Sequence, residues 1–284
     1  ITPVSFDWDG DGDEDLVCGN TAGYIGFIEN LDGGNPPRWA SAVRLEAEGK
    51  TIRIQAGPNG SIQGPCERKW GYTALSVADW DHDGLPDLVV NSIWGKVIWF
   101  RNIGTRTAPK LTKAAPIEVE WTGPAPKPAW TWWTPRGNEL ATQWRTTPVV
   151  VDWDRDGLND LLMLDHEGYL AFFGRERSDN RFVLLPGKRL FEGNSYDGWH
   201  RDISTPDTLM CLNNGLAGES GRRRFCVVDW DGDGLRDILV DGPMNCRFLR
   251  NISPAGPPWK FDDKGPLSEV KLAEHSTSPT TVDF

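Results

Sequence analysis

Asp79-Trp-Asp-His-Asp-Gly-Leu-Pro-Asp87 recurs three more times with small changes, as Asp7-Trp-Asp-Gly-Asp-Gly-Asp-Glu-Asp15, Asp152-Trp-Asp-Arg-Asp-Gly-Leu-Asn-Asp160 and Asp229-Trp-Asp-Gly-Asp-Gly-Leu-Arg-Asp237. All four fit D-W-D-x-D-G-x-x-D. Carboxylates at alternate positions, a glycine that lets the backbone turn sharply and a fourth carboxylate further on describe a loop wrapping its oxygens around a hard cation, most naturally calcium. The candidate ligands are Asp7, Asp9, Asp11 and Asp15, then Asp79, Asp81, Asp83 and Asp87, then Asp152, Asp154, Asp156 and Asp160, and last Asp229, Asp231, Asp233 and Asp237. An EF-hand would need a bidentate acid at its twelfth position and a helix on either side. Here the last acid runs directly into Leu16-Val17, Leu88-Val89-Val90, Leu161-Leu162-Met163 or Ile238-Leu239-Val240, which read as short buried strands. The loops therefore belong to a β structure.

Working outward, the sixteenth residue after the first Asp of each motif is Gly23, Gly95, Gly168 or Asn245, a turn residue that opens a second strand. Those strands are read as Tyr24–Asn30, Lys96–Asn102, Tyr169–Phe173 and Cys246–Asn251. A looser third strand is expected around Val43-Arg44-Leu45, Ile117-Glu118-Val119, Phe182-Val183-Leu184 and Val270-Lys271-Leu272. A fourth leads into the next metal loop at Leu75–Ala78, Pro148–Val151 and Phe225–Val228. Four strands per repeat, with motif spacings of 72, 73 and 77 residues, are the signature of β-propeller blades carrying insertions. The fold expected is all-β, one propeller over residues 1–284 built of four-stranded blades with D-x-D-x-D-G-x-x-D calcium loops. Ile1-Thr-Pro-Val-Ser-Phe-Asp7 and Thr277-Ser-Pro-Thr-Thr-Val-Asp283 read as the same lead-in element, so the sequence opens on one such strand and stops at another. The expectation is a piece of a longer, seven-bladed ring whose missing blades are its partners. A compact ring of four or five blades is the alternative.

Gly (31) and Pro (21) cluster between the strands and leave little room for long helices. The net charge of −11 would suit a partner of basic surfaces, but four bound Ca²⁺ would bring it to −3, so metal sites account for most of the acidity. No basic patch suited to a phosphate backbone stands out, which argues against nucleic acid, and Arg222-Arg223-Arg224 reads as a solvated loop. No apolar run approaches the roughly 18 to 20 residues needed to span a membrane. Oxygen-ligand sites fill best where calcium is abundant, so a secreted, periplasmic or cell-surface setting is expected. Of five cysteines, Cys18, Cys226 and Cys246 lie in apparent strands and read as buried thiols, while Cys66 and Cys211 lie in insertions and are placed to pair.

The Asp-x-Asp-x-Asp-Gly-x-x-Asp loop followed by a Leu/Ile-Val strand at blade intervals resembles the FG-GAP/VCBS repeats of integrin-α-type β-propellers, over essentially the whole chain. The resemblance implies calcium held by the acids at positions one, three, five and nine of each loop, with a backbone carbonyl at position seven. The first loop departs from the pattern, with Asp13 and Glu14 where the others carry Leu and a variable residue. The Phe-Gly and Gly-Ala-Pro signatures of integrin repeats are absent.

Residues constant across repeats serve the repeated structure, so Trp8, Trp80, Trp153 and Trp230 are expected to pack blade against blade. Function is sought where the repeats differ, in insertions at 51–72, 120–145 and 192–224. All three precede the lead-in strand and should emerge on one face. They carry Arg68, Lys69, Trp70 and Tyr72; then Trp130, Trp132, Trp133, Trp144 and Arg145; then Tyr196, Trp199, His200 and Arg201. Trp70, Trp144 and His275 fall eight or nine residues before a metal-loop Asp, and are expected to ring a channel mouth. Stacking aromatics beside fork donors are what a glycan site needs: flat faces for sugar rings and N–H groups for hydroxyls or uronate carboxylates.

Three functions compete. One is a secreted calcium-stabilised propeller that binds carbohydrate within a polysaccharide-degrading system, with Arg68, Trp70, Trp130, Trp132, Trp133, Trp144, Trp199 and His275 touching the glycan. A second is a polysaccharide lyase, in which a cation neutralises the uronate and one of Lys69, Tyr72, Arg145, Tyr196, His200 or Arg201 moves the C5 proton. The third is a protein-binding adhesion module.

Overall fold

The computed structural model describes residues 2–129, 131, 133–179, 181–193, 195–196, 202–203, 209–213, 223–242, 245–271 and 279–280. Strands in these residues form four main sheets in a propeller-like arrangement, one for each acidic motif, with three two-stranded pairs beside them. The first sheet runs Thr2–Phe6, Asp15–Gly19, Ile25–Ile28, Val43–Arg44, in chain order. The second repeats it with Ala74–Ala78, Asp87–Asn91, Ile98–Phe100 and Ala115–Pro116. In each, the acidic loop is the connection between the first two strands, and its last Asp is the first residue of the second strand. Phe6 pairs with Asp15, Ala78 with Asp87, Val151 with Asp160 and Val228 with Asp237. The register is identical because the loop length is identical. Among the described residues there is no α-helix, only a 3₁₀ turn at Pro65–Glu67, and no helix long and apolar enough to cross a membrane.

Of the expected looser strands, Val43–Arg44 is present in the first sheet and the second sheet's lies at Ala115–Pro116, just before Ile117, while the other two need correction. In the third sheet, Val149–Val151, Asp160–Leu164 and Leu170–Phe173 are present, but Arg181–Leu184 folds back on Arg175–Ser178 as a separate hairpin. Local hairpin closure outcompetes the longer-range pairing, and Phe172 meets Lys188 instead. In the fourth, the strand paired with Cys246–Asn251 is Trp259–Pro266; Val270 and Lys271 lie in no strand, and Leu272 lies outside the described residues. The signal was legible as Trp259-Lys-Phe261-Asp, whose alternate residues are buried. Phe191–Glu192 from the preceding repeat adds a fifth, parallel strand beside it.

The four first strands converge on one cavity of about 170 Å³, lined by Thr2–Ser5, Leu75–Ser76, Thr147–Val149 and Arg224–Val227. Pro279 and Thr280 line it too, so Pro3, Pro148 and Pro279 all border the same cavity. Successive sheets stack through apolar faces. Trp8 packs with Leu88 and Phe100 of the second sheet, Trp80 with Leu161 and Phe173 of the third, and Trp153 with Ile238, Leu249, Trp259 and Phe261 of the fourth and its extension. These three tryptophans are 3%, 5% and 5% exposed, whereas Trp230 is 49% exposed, because no described sheet packs beyond the fourth. Cys66 is exposed beside the 3₁₀ turn and Cys211 is buried opposite Tyr169, and no disulfide joins them. Cys246 is buried as expected, and Cys18 and Cys226 are partly buried.

Candidate functional site

Two groups of residues carry chemistry, at opposite edges of the blades. The first strand of the second blade shows why: it begins beside Tyr72, where an insertion ends, and finishes at Asp79, where a metal loop starts. Five residues of extended chain separate these edges by about 17 Å.

At the metal edge, the loop folds on its own backbone. The first Asp accepts N–H groups from across the turn: Asp79 from Asp83 and Gly84, and Asp229 from Asp233 and Gly234. The sixth-position glycines have φ near +90° (Gly84 +88°, Gly157 +88°, Gly234 +85°), a conformation that a side chain would strain. The ninth Asp is fully buried in every loop and is held by both oxygens. Asp15 accepts from Trp8 N and Asn30 N, Asp87 from Trp80 and Asn102, Asp160 from Trp153 and Arg175, and Asp237 from Trp230 and Asn251, at 2.6–3.0 Å. This clamp between the loop and the sheet's third strand is a structural role that ligand spacing alone did not reveal.

Acids one, three and nine converge in all four loops, with oxygens of Asp7, Asp9 and Asp15, of Asp79, Asp81 and Asp87, of Asp152, Asp154 and Asp160, and of Asp229, Asp231 and Asp237 within 4.8 Å of one another. Position five joins them only in part. Asp11 gathers with Asp9 and with Glu29, an acid outside the motif, while Asp83, Asp156 and Asp233 accept the N–H of Leu85, Leu158 and Leu235. The extra acids of the first loop stay out of the cluster, and Glu14 is engaged by the Ser5 hydroxyl. Several carboxylate oxygens, Asp9 Oδ1, Asp81 Oδ1 and Asp152 Oδ1, are buried without a hydrogen-bond partner. Crowded acids with orphaned oxygens fit a hard divalent cation, which would supply the missing contacts.

Burial drives these carboxyls upward: Asp87 to about 7 and Asp160 to about 6, against the N–H bonds that favour ionisation. Asp9, Asp15, Asp81, Asp154 and Asp237 are raised as well, burial again the largest cause. Between the unfolded value near 4 and these folded values, the metal-free native state holds protons that the unfolded chain has released, so its stability falls as pH rises. In EDTA, calorimetry should therefore give a higher melting midpoint at pH 5 than at pH 7. With excess calcium, which needs the ionised acids, the order should reverse. A midpoint in EDTA that climbed over this range would contradict the assignment.

The other edge is built by insertions that close over the turn between second and third strands. Gly71 N and Tyr72 N donate to Thr21 O, Arg145 N to Ser92 O, and Leu212 N to Gly168 O. The closeness explains the recurring glycine: a Cβ on Gly23 would lie 1.7 Å from Ile54 O, and one on Gly168 1.6 Å from Asn213 O. Tyr72 and Arg145 both stand seven residues before a metal-loop Asp, and both have left-handed φ, +48° and +61°.

Here the expected ring of exposed side chains divides. Trp144 and Arg145 are each 1% exposed. The Arg145 guanidinium lies between the rings of Tyr72 and Trp144, 3.3 and 3.8 Å from their centroids, and its Nη2 is 2.7 Å from Glu67 Oε1, itself fully buried. Glu67 also accepts from the Ser61 and Tyr72 hydroxyls. Neither Trp144 nor Arg145 offers a face to a ligand. They instead knit the first insertion to the second. Glu67 was not singled out in the sequence, since only the fold brings it to Arg145.

Arg68, Lys69 and Trp70 are exposed beside this cluster, with the Trp70 ring edge-on to Tyr72 at 5.4 Å. Trp94, half-buried, donates its indole N–H to Gln55 O and accepts the Trp133 indole N–H on its own carbonyl, while Lys96 lies 4.4 Å over the Trp133 ring. Trp70 against Tyr72 and Trp133 against Trp94 thus make two aromatic contacts on this edge, with Arg68 and Lys69 adjoining the first in sequence and Lys96 over the second; Trp94 was not among the residues picked out in the sequence. Trp130, Trp132, Trp199, His200, Arg201 and His275, and the side chain of Tyr196, lie outside the described residues.

No family model matches the chain, and no curated protein does. Among solved structures it is similar to one described for specific recognition of non-reducing terminal N-acetylglucosamine by an Agrocybe aegerita lectin, with 18% identity and a TM-score of 0.37. The match covers 90% of this chain and 51% of the other, so the chain spans about half the length of that structure.

Proposed function

We propose that this chain is a calcium-stabilised β-propeller of the FG-GAP/VCBS kind that binds carbohydrate on its insertion-bearing edge, outside the cell and alongside polysaccharide degradation. The observation that carries the reading is the indole of Trp70, 39% exposed at the surface, flanked by Arg68 and Lys69 and backed by a buried Arg145–Glu67 pair. A flat apolar face beside mobile donors, on a rigid base, suits a sugar ring and its hydroxyl or carboxylate groups. The seven-bladed ring remains part of the proposal.

Binding is favoured over uronate elimination. The four loops that suit a cation lie on the edge opposite Lys69, Tyr72 and Arg145, so a cation there is too far to neutralise a uronate held at the insertions. Arg145 is already paired to Glu67. Incubation with a panel of uronate-containing and neutral polysaccharides, tracked by ultraviolet absorbance, reducing ends and affinity electrophoresis, separates the readings. Retarded migration with no new unsaturated ends is the expected result. Accumulating unsaturated uronates would replace this proposal with a lyase, and no retardation on any glycan would leave adhesion to protein.

A further inference from the structure

The four loops share one acidic pattern, but the residue beside each at the end of the sheet's third strand does not repeat. It immediately precedes the residue whose N–H caps the ninth Asp, and is Glu29, Arg101, Gly174 or Arg250 in chain order. In the second loop, Arg101 Nε lies 2.6 Å from Asp81 Oδ2 and Nη2 3.0 Å from Asp83 Oδ2. In the fourth, Arg250 repeats the arrangement on Asp231 at 2.5 Å and Asp233 at 3.0 Å. Each guanidinium spans the acids at positions three and five, two of the four carboxylates that the motif assigns to the cation. In the first loop the same place holds Glu29, gathered with Asp9 and Asp11. There Arg106 from the next blade lies 2.8 Å from Asp7, the acid at position one, and among the described residues no ion pair reaches Asp9 or Asp11 at positions three and five. In the third loop the place holds a glycine, and no ion pair reaches Asp152, Asp154, Asp156 or Asp160 among the described residues.

Resting on the calcium reading above, we infer that the loops form two classes of metal site: the second and fourth are latched by an internal arginine that competes with calcium across positions three and five, while the first and third are open at those positions, the first with Glu29 as an added ligand and Arg106 only on Asp7. Oxygen-ligand sites are tuned by the count of ligand charges, and a fixed cation across two of four acids cancels charge and occupies coordination directions at once. A latched loop meets its own counter-ion need and stays folded at low calcium. An open loop depends on the metal. The protein thus has calcium sites that fill early and others that fill only when calcium is plentiful.

Equilibrium dialysis of the whole chain against radioactive calcium counts ions bound at each free concentration. The wild type should take up two ions at free calcium at least about tenfold below the level that fills the other two. Arg101→Gln with Arg250→Gln, both at partly exposed sites that a neutral side chain can occupy, should merge the steps by tightening the weaker pair. Glu29→Gln should loosen one ion of the tighter pair by about tenfold while leaving the weaker pair in place. A single uniform step in the wild type, or a split that persists in the double variant, would overturn the inference while leaving calcium binding intact. No calcium bound up to about 10 mM would overturn the metal reading itself.

Discussion

Chelating calcium with EDTA should lower the melting midpoint of this protein by about 10 °C or more. A site saturated at a hundred times its Kd adds about 2.7 kcal/mol to the folded state, because the unfolded chain does not hold its acids together. Two open sites alone then contribute roughly 5 kcal/mol, which for a chain of this size is on the order of 10 °C. The structural reason lies in the loops. Three carboxylates within 4.8 Å repel one another, and the fully buried ninth Asp anchors the loop to its strand. Without a cation that repulsion falls on the connection between the first two strands of a blade. A midpoint unmoved by EDTA in low-calcium buffer would mean that the loops serve as acidic turns and nothing more.

Replacing Glu67 with Ala should cost about 3–5 kcal/mol, as expected when one partner of a buried ion pair is removed and the other charge is left behind. Arg145 would remain between Tyr72 and Trp144, 1% exposed, without the carboxylate 2.7 Å away. Glu67→Gln keeps a hydrogen-bond acceptor and should cost less. The combination Glu67→Met with Arg145→Met, which removes both charges, should recover much of the loss, since the pair's desolvation largely offsets its attraction. Urea denaturation of the four proteins reads the ranking. A Glu67→Ala cost below about 1 kcal/mol, typical of surface pairs, would show that the insertions are not held together here.

The blades were legible because metal-loop geometry forces a fixed count: an acid that caps two N–H groups and a glycine with positive φ cannot shift by one residue without losing both. The tryptophans at position two were readable for the same reason, save Trp230, whose exposure depends on whether a further sheet packs against it and not on its own sequence. The outermost strands were legible in the first blade and nearly so in the second but not in the others, since an outer strand accepts either a hairpin partner, as Arg181–Leu184 does, or the sheet. At the insertion edge, sequence located the aromatic residues but not their direction. Trp70 and Trp144 hold equivalent places nine and eight residues before a metal loop, yet one is exposed and the other is covered by Arg145. Composition cannot tell a stacking face from a packed one when a buried carboxylate such as Glu67, distant in sequence, decides which arginine turns inward. The same limit hid Glu29, Arg101 and Arg250, whose relation to the loops exists only once the sheet's third strand is paired.

If the insertion edge binds sugar and the metal edge supports it, the sharpest test is glycan-array binding of the wild type and of Trp70→Ala, in saturating calcium and with matched melting midpoints. The wild type should bind at least one glycan class. The variant should lose about tenfold or more in affinity while remaining as stable, since the exposed indole stacks on ligand and not on the core. Absence of binding to any glycan, or a Trp70→Ala protein that binds as the wild type does, would contradict this division of labour between the two edges.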